Sequence, residues 1–233
     1  MPAKIKDFIF EPFKLDGLSG TKLLATRKKD GRRFVVKEES AVGTMPINNG
    51  GDVRNEFVYH SLIKELGLPS LEVFLFEKFS KGKSGLDGYA VGIEYIDAKP
   101  LTKQEIQQNP NINMAHLVGF HALSHALSDF DNRIEILITK HNRIYRIDAA
   151  ESLHYDTSLR RIKMGYEHVI ENFGQEHSHH YINTIKAVAD LPFAKIESIL
   201  DRLVEVFPTE IKDEYVDFFN KCQSACREFA KTV

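Results

Sequence analysis

The chain has 233 residues, of which 42% are apolar and 27% charged, an ordinary globular composition that argues against wholesale disorder. Its 31 Lys and Arg residues are balanced by 33 Asp and Glu residues, so it lacks the excess positive charge of a general nucleic-acid coat and we expect no nucleic-acid partner. The longest unbroken apolar run, residues 73–76, is far shorter than the roughly 20 residues of a membrane span.

The first part of the chain is typical of short strands separated by turns. Apolar-rich runs at residues 22–27 and 32–37 flank Asp30 and Gly31, a pair that favours a β-hairpin because glycine adopts the positive φ of a tight turn. An apolar stripe then predicts a helix over residues 53–66, with Asp52 as its cap. Two further strands are predicted at residues 71–79 and 89–96.

From Thr102 onward the pattern becomes mostly helical. Apolar residues recur at helical spacing over residues 113–128, and a second hairpin is predicted from runs at 134–139 and 143–147. Strands with one helix, followed by helices around a hairpin, predict an α+β chain with two lobes, residues 1–97 and 98–233. The remaining helices are predicted at residues 159–173, 180–189, 193–207 and 210–231.

Cysteine and histidine spacing does not indicate a metal centre or a disulfide framework. Cys222 and Cys226 are four apart on a predicted helix, where a bridge is not favoured, so we expect core thiols. His121 and His125 share a helix face, for which we favour a structural role over metal binding. The same preference applies to the cluster at a predicted helix start, which comprises His177, His179 and His180.

Three features remain that together suit phosphoryl transfer. Lys37 closes an apolar strand, and a buried ammonium needs an anionic partner, which Glu56 at the start of the next helix can supply. The second hairpin brings Asp148 back beside the acidic segment 129–132. Clustered carboxylate and amide oxygens suit Mg²⁺, and a lysine held by a glutamate suits nucleotide phosphates.

In this order and spacing the chain resembles the protein-kinase-like fold, especially HipA-type toxin kinases and phosphatidylinositol 3-/4-kinases. The resemblance implies a bilobal fold with a strand-rich N-lobe and a small helical C-lobe. The segments that carry it are Phe34-Val35-Val36-Lys37, Asn55-Glu56-Phe57, Ile93-Glu94-Tyr95-Ile96, Leu127-Ser128-Asp129 and Ile144-Tyr145-Arg146-Ile147-Asp148.

The resemblance implies ATP and Mg²⁺ as cofactors and assigns a role to each site residue. Lys37 would hold phosphates and Glu56 would hold Lys37, while Asp129 would orient the acceptor hydroxyl. Asn132 and Asp148 would hold the metal. Backbone groups would bind the phosphates at Ser19, Gly20 and Thr21, and adenine at Glu94, Tyr95 and Ile96.

The acidic segment departs from the family pattern. Counting back from the apolar pair at 136–137 puts Glu135 in the place of the family's Asn, so either Asp129 or Asp131 is the base and either Asn132 or Glu135 is the second metal ligand. We favour Asp129 and Asn132. Ala149 and Ala150 follow Asp148 where the family has Phe-Gly, which leaves a pseudokinase open.

The expected activity is transfer of the γ-phosphoryl group of ATP to a hydroxyl, with a Ser or Thr of a protein as first choice of acceptor. The alternatives are a pseudokinase that serves as a binding module, a phosphoinositide kinase, a small-metabolite kinase and a nucleotidyl transferase. An activating partner is compatible with all of them. The basic group of Arg160, Arg161 and Lys163 is expected to be a solvated helix start rather than a substrate site.

Residues 1–13 carry charges and no apolar stretch of the kind that forms the core of a signal peptide. We therefore expect a cytoplasmic protein, or one exported without a classical signal peptide.

Overall fold

The computed structural model describes residues 1–13, 22–38, 51–77, 88–128, 135–147, 152–153 and 157–233. The N-terminal part forms a five-stranded antiparallel sheet in the order β1-β2-β3-β5-β4, and the C-terminal part is mostly helical, which confirms the predicted α+β class. The strands are β1 (Phe8–Phe13), β2 (Lys22–Arg27), β3 (Arg33–Glu38), β4 (Val73–Leu75) and β5 (Ala90–Glu94).

The predicted β2–β3 hairpin is confirmed. Gly31 has a φ of 69° and donates its N–H to the carbonyl of Arg27 at 2.8 Å, which closes the turn. Asp30 accepts a hydrogen bond from Nε of Arg27 at 3.0 Å and one from the backbone N–H of Arg32 at 3.2 Å. The Asp-Gly pair therefore supplies both the left-handed residue and the side-chain acceptor of the turn.

Helix α1 (Gly51–Glu65) crosses the N-terminal sheet and ends where the sequence predicts. Gly67 has a φ of 71°, and the N–H of Leu68 returns to the carbonyl of Ile63 at 3.1 Å, a glycine-terminated helix end. The helix begins two residues earlier than predicted, so Asp52 lies inside its first turn rather than in the cap position before it.

The helical part packs around a small second sheet. Within the described residues, three antiparallel strands run in the order β6-β7-β8, and they include the predicted second hairpin. These strands are β6 (Ala98–Pro100), β7 (Ile136–Thr139) and β8 (Ile144–Arg146). The helices are α2 (Lys103–Gln108), α3 (Met114–Ala126), α4 (Leu159–Phe173), α5 (Ser178–Asp190), α6 (Phe193–Leu203) and α7 (Glu210–Ala230).

Two elements differ from the predictions for reasons that involve proline. Strand β1 was not predicted. It contains Pro12, which lacks an N–H donor, but β1 lies at the edge of its sheet, where proline is tolerated. Helix α6 ends at Leu203 instead of residue 207, because Pro208 disfavours the helical conformation at Phe207. Phe207 is still buried, with its ring 4.2 Å from that of Tyr89.

The larger hydrophobic core contains side chains from both halves of the chain. Val53 and Phe57 of α1 belong to the same buried cluster as Leu117 of α3 and Phe219 of α7. The division into units 1–97 and 98–233 stays a prediction. Across the described ranges, no helix has both the length and the apolar character needed to cross a membrane.

Gly165 lets α4 approach both α3 and α5. A Cβ at this position would lie within 3 Å of the ring of His125 and of the hydroxyl of Tyr181. We expect Gly165→Ala to lower the free energy of unfolding by about 1–2 kcal/mol, because an overpacking cost of about 1–3 kcal/mol exceeds the gain in helix propensity of up to about 1 kcal/mol.

Urea denaturation would measure this change, with Met164→Ala as the control because Met164 is 57% exposed on the same helix. A stability gain for Gly165→Ala would contradict the close packing of α4.

Candidate functional site

The predicted partners Lys37 and Glu56 meet between the N-terminal sheet and α1. Nζ of Lys37, on β3, forms an ion pair with Oε1 of Glu56, on α1. The Glu56 side chain has no exposed surface, whereas that of Lys37 is 21% exposed. A strand and a helix therefore hold the ammonium group of a partly exposed lysine side chain against a fully buried carboxylate.

The alternation of side chains along β3 explains the position of Lys37. Phe34 and Val36 are buried in a smaller core on one face of the sheet, so Lys37 points to the opposite face. Its cross-strand neighbour is Val91, which belongs to the larger core on the side of α1. The ammonium group thus faces α1, where Glu56 supplies the counter-charge.

The electrostatics of Glu56 result from two opposing effects. Burial raises the pKa of its carboxyl, but the positive charge of Lys37 and the contact with His60 outweigh burial and hold the pKa well below its usual range. Nε2 of His60 lies 3.3 Å from Oε2 of Glu56. The carboxylate is therefore ionised at neutral pH although it is completely buried.

Two polar contacts tie α1 to the helical part of the chain. The hydroxyl of Tyr215, on α7, donates to Oδ1 of Asn55 at 2.6 Å. The hydroxyls of Tyr59 and Ser124, the latter on α3, lie 3.2 Å apart. Asn55 and Tyr59 flank Glu56 in sequence, so the position of the carboxylate depends on helices far along the chain.

The segment predicted to bind adenine, residues 94–96, begins at the last residue of β5. The backbone N–H of Glu94 donates to the carbonyl of Glu72 at 2.9 Å, and that of Tyr95 donates to the carbonyl of Arg33 at 2.8 Å. These two N–H groups are therefore already used in backbone hydrogen bonds. Ile96, the third residue of the segment, lines an open cleft of about 470 Å³ together with residues of the β7–β8 hairpin.

Charged side chains connect the β2–β3 hairpin to Glu94, the first residue of that segment. Glu94 accepts a hydrogen bond from Arg32 at 2.6 Å and another from the backbone N–H of Glu72 at 3.0 Å. Glu72 in turn forms ion pairs with Arg27 and Arg32. The tip of the β2–β3 hairpin is thereby linked to the end of β5.

Most of the predicted phosphate and metal ligands lie outside the described residues: Ser19, Gly20, Thr21, Asp129, Asp131, Asn132 and Asp148. Glu135 is the first described residue after the acidic segment 129–132, and Ile147 is the last described residue before Asp148. The N–H of Ile147 donates to the carbonyl of Glu135 at 2.9 Å. The β7–β8 hairpin thus brings Glu135 and Ile147 together, and the predicted approach of Asp148 to residues 129–132 lies outside the described residues.

A buried arginine in this hairpin was not predicted. Arg146 is 1% exposed, its guanidinium donates to the carbonyl of Glu135 at 3.4 Å, and it lies 6.0 Å from the centre of the Tyr59 ring. Its neighbours in sequence gave no signal that this arginine would be buried.

Residues 126–128, which precede the acidic segment 129–132, are anchored by Leu153 and Thr157. Ser128 is fully buried with a φ of 53°, and its hydroxyl lies 3.3 Å from that of Thr157. Thr157 also donates to the carbonyl of Ala126 at 2.5 Å, and the N–H of Leu153 donates to the carbonyl of Leu127 at 2.9 Å. The entry to residue 129 is therefore fixed by the chain beyond residue 151.

His125 and the two cysteines make contacts within the helical part of the chain. Nδ1 of His125 is 2.7 Å from the carbonyl of His121, and both cysteines are buried free thiols, as predicted. Within the described ranges, no group of three or more His, Cys, Asp or Glu side chains is arranged to hold a metal ion. Ser158 caps α4. Arg160 and Lys163 are exposed near its start, as expected of a solvated helix start, whereas Arg161 is half-buried and departs from that prediction.

Comparisons with known proteins add little to this geometry. No protein-family model and no curated protein sequence matches the chain. Among solved structures, the chain is similar to a mutant of the PAN3 pseudokinase of Neurospora crassa, with 13% identity over 99% of this chain and 65% of that one, at a TM-score of 0.32. A similarity at this level does not establish a shared fold.

Removing the cation from the buried pair should destabilise the protein. We expect Lys37→Met to lower the free energy of unfolding by about 3 kcal/mol, because Glu56 would remain buried without its counter-charge. The double variant Lys37→Met/Glu56→Leu should regain most of that loss, since it buries no charge. Chemical denaturation of both variants would measure the difference.

The control for this experiment is Lys99→Met, which removes a cation from an exposed ion pair with Glu105. Its expected effect is below about 1 kcal/mol, because the Lys99 side chain is 72% exposed. Equal losses for Lys37→Met and Lys99→Met would show that the buried pair has no special energetic role.

Because His121 is largely buried, we expect the free energy of unfolding to fall in acid. Burial, followed by the charges of His125, His168 and Arg146, lowers the pKa of His121 to about 3. When pH falls below about 6.5, the unfolded chain binds a proton at His121 while the folded protein does not, so the free energy of unfolding should drop by about 1–2 kcal/mol between about pH 7 and pH 5. His121→Phe should reduce this drop, whereas His141→Asn, at an exposed residue, should preserve it.

Proposed function

We propose that the protein is an atypical kinase that transfers the γ-phosphoryl group of ATP to a hydroxyl in the presence of Mg²⁺. The observation that supports this most directly is the Lys37–Glu56 pair, which joins the third strand of an antiparallel sheet to the helix that packs on it. A lysine held by a buried glutamate is the arrangement that orients an ammonium group toward nucleotide phosphates.

The accessible part of Lys37 fits a phosphate ligand. Its side chain is held by Glu56 yet remains 21% exposed, so the lysine is not sealed in the core. In the proposal, Lys37 positions the α- and β-phosphates and Glu56 positions Lys37. Most of the catalytic effect of such a site comes from position and positive charge, because the phosphoryl group supplies its own reactivity.

The metal and acceptor roles rest on the sequence. Asn132 and Asp148 offer the amide and carboxylate oxygens that suit Mg²⁺, and bound Mg²⁺ would neutralise charge on the transferred phosphoryl group. Asp129 would orient the acceptor hydroxyl, with Asp131 as the alternative base and Glu135 as the alternative metal ligand. The hydrogen bond between the backbones of Glu135 and Ile147 is compatible with both choices.

The acceptor we propose is a Ser or Thr of a protein, and a phosphoinositide is the alternative. The resemblance to HipA-type and phosphatidylinositol kinases is the only support for either acceptor. Arg160 and Lys163 are exposed near the start of α4, and an acidic substrate or an activating partner would meet them there.

A pseudokinase is the second candidate, and it has its own support. Glu135 stands where the family pattern has Asn, and the N–H groups of Glu94 and Tyr95 are already used by the sheet. A binding module of this kind would keep the Lys37–Glu56 pair for structure or for nucleotide binding without transfer.

Phosphate transfer from ATP labelled at its γ-phosphate would test the proposal. We expect Lys37→Met and Asp148→Ala to lower the transfer rate by at least about 100-fold, because each removes charge stabilisation of the transferred group. Lys64→Met is the control, since Lys64 is exposed on α1 and outside the site. Undiminished transfer by both site variants would overturn the assignment.

Two further measurements distinguish the alternative functions. Thermal unfolding with and without ATP and Mg²⁺ detects binding through mass action, so a shift without transfer would favour the pseudokinase. ATP labelled at the α-phosphate detects nucleotidyl transfer. Protein and phosphoinositide acceptors would be supplied in separate reactions.

A further inference from the structure

His60 is a buried titratable residue that the proposed phosphoryl transfer does not use. It lies one helical turn after Glu56 on α1 and is 1% exposed. Its Nε2 is 3.3 Å from Oε2 of Glu56, which is the oxygen that the Lys37 ion pair leaves free. Side chains four residues apart share a helix face, so the helix itself brings the imidazole to the carboxylate.

The second oxygen of Glu56 needs a donor. A carboxylate oxygen buried without one costs free energy that the Lys37 pair at Oε1 does not recover. Within the described part of the chain, Oε2 of Glu56 and both ring nitrogens of His60 lack a well-aligned hydrogen bond. Because the two groups already face each other, a small rotation of the ring would satisfy Oε2 and Nε2 together.

The protonation of the imidazole decides whether this contact attracts or repels. With a proton on Nε2, the ring donates to the carboxylate. With the neutral ring protonated only on Nδ1, a lone pair of Nε2 would face the negative oxygen, which is unfavourable. The contact therefore requires the form of His60 that carries a proton on Nε2.

We propose that His60 is a positioning residue for the Lys37–Glu56 pair. Its Nε2–H holds Oε2 of Glu56, and the fixed carboxylate presents Oε1 to Lys37, whose ammonium group is thereby directed toward the ligand. The effect on nucleotide affinity rests on the proposed function, whereas the contact between His60 and Glu56 does not. Hydrogen bonds at such sites are long without ligand and tighten when it binds.

Nitrogen NMR of the histidine-labelled full-length protein would test the contact without any nucleotide. We expect the wild-type His60 ring to carry a proton on Nε2, and its signals to change in Glu56→Gln. A neutral ring protonated on Nδ1 would overturn the proposal. This measurement is made on the wild-type protein, so it does not depend on whether a His60 variant folds.

Two variants of His60 would then test its effect on Lys37. Glutamine places an amide N–H near the position of Nε2, whereas leucine fills similar space without a donor. We expect His60→Leu to weaken binding of ATP with Mg²⁺ by about tenfold, the equivalent of one charge-assisted hydrogen bond at about 1.4 kcal/mol, and His60→Gln to restore most of it. Equal affinities in wild type and His60→Leu would overturn the positioning role.

The two proposals fail in different ways. If wild-type protein binds no ATP, the proposed function fails, while the nitrogen NMR and the thermal stability of the variants still decide the contact. In that case His60→Leu should lower the unfolding temperature in the wild-type background but not in Glu56→Leu, where no carboxylate remains to be satisfied. The same decrease in unfolding temperature in both backgrounds would show that His60 contributes only packing.

Discussion

The complete burial of the Glu56 carboxylate is the constraint on which the N-terminal part of this protein depends. An ionised carboxylate inside a protein is tolerated only when charges and donors surround it, and here Lys37 and His60 approach its two oxygens. An apolar pair of similar size would fill the same space at equal or lower free-energy cost. Stability alone therefore does not account for charges at this position, and the proposed role of Lys37 in orienting nucleotide phosphates is a reason to keep them.

Much of the fold could be read from local sequence signals. The Asp30-Gly31 turn, the glycine at the end of α1, and the bounds of α4 and α7 follow from turn chemistry, capping and apolar periodicity. The pairing of Lys37 with Glu56 was also predictable, because alternation along the strand and the place of Glu56 in the first turns of the next helix constrain their direction. In these places local preference and tertiary packing favour the same structure.

Other features depend on contacts between distant parts of the chain. Strand β1 forms although its sequence contains Pro12, because the edge of the sheet does not need that donor. His60 and Arg146 have unremarkable neighbours in sequence, and only the packing of α1 and β8 shows that both are buried. The roles of Asp129, Asp131 and Asn132 could not be separated because a shift of one residue along this segment exchanges them.

The link between Asn55 and Tyr215 spans 160 residues and has a consequence for synthesis of the chain. Helix α1 leaves the ribosome long before α7 exists, so the contact between Asn55 and Tyr215 forms only after the 160 residues that separate them have been made. Contacts of such long sequence separation form late and slowly. Asn55, the residue beside Glu56, therefore acquires this partner on α7 only after the helices between them have been translated.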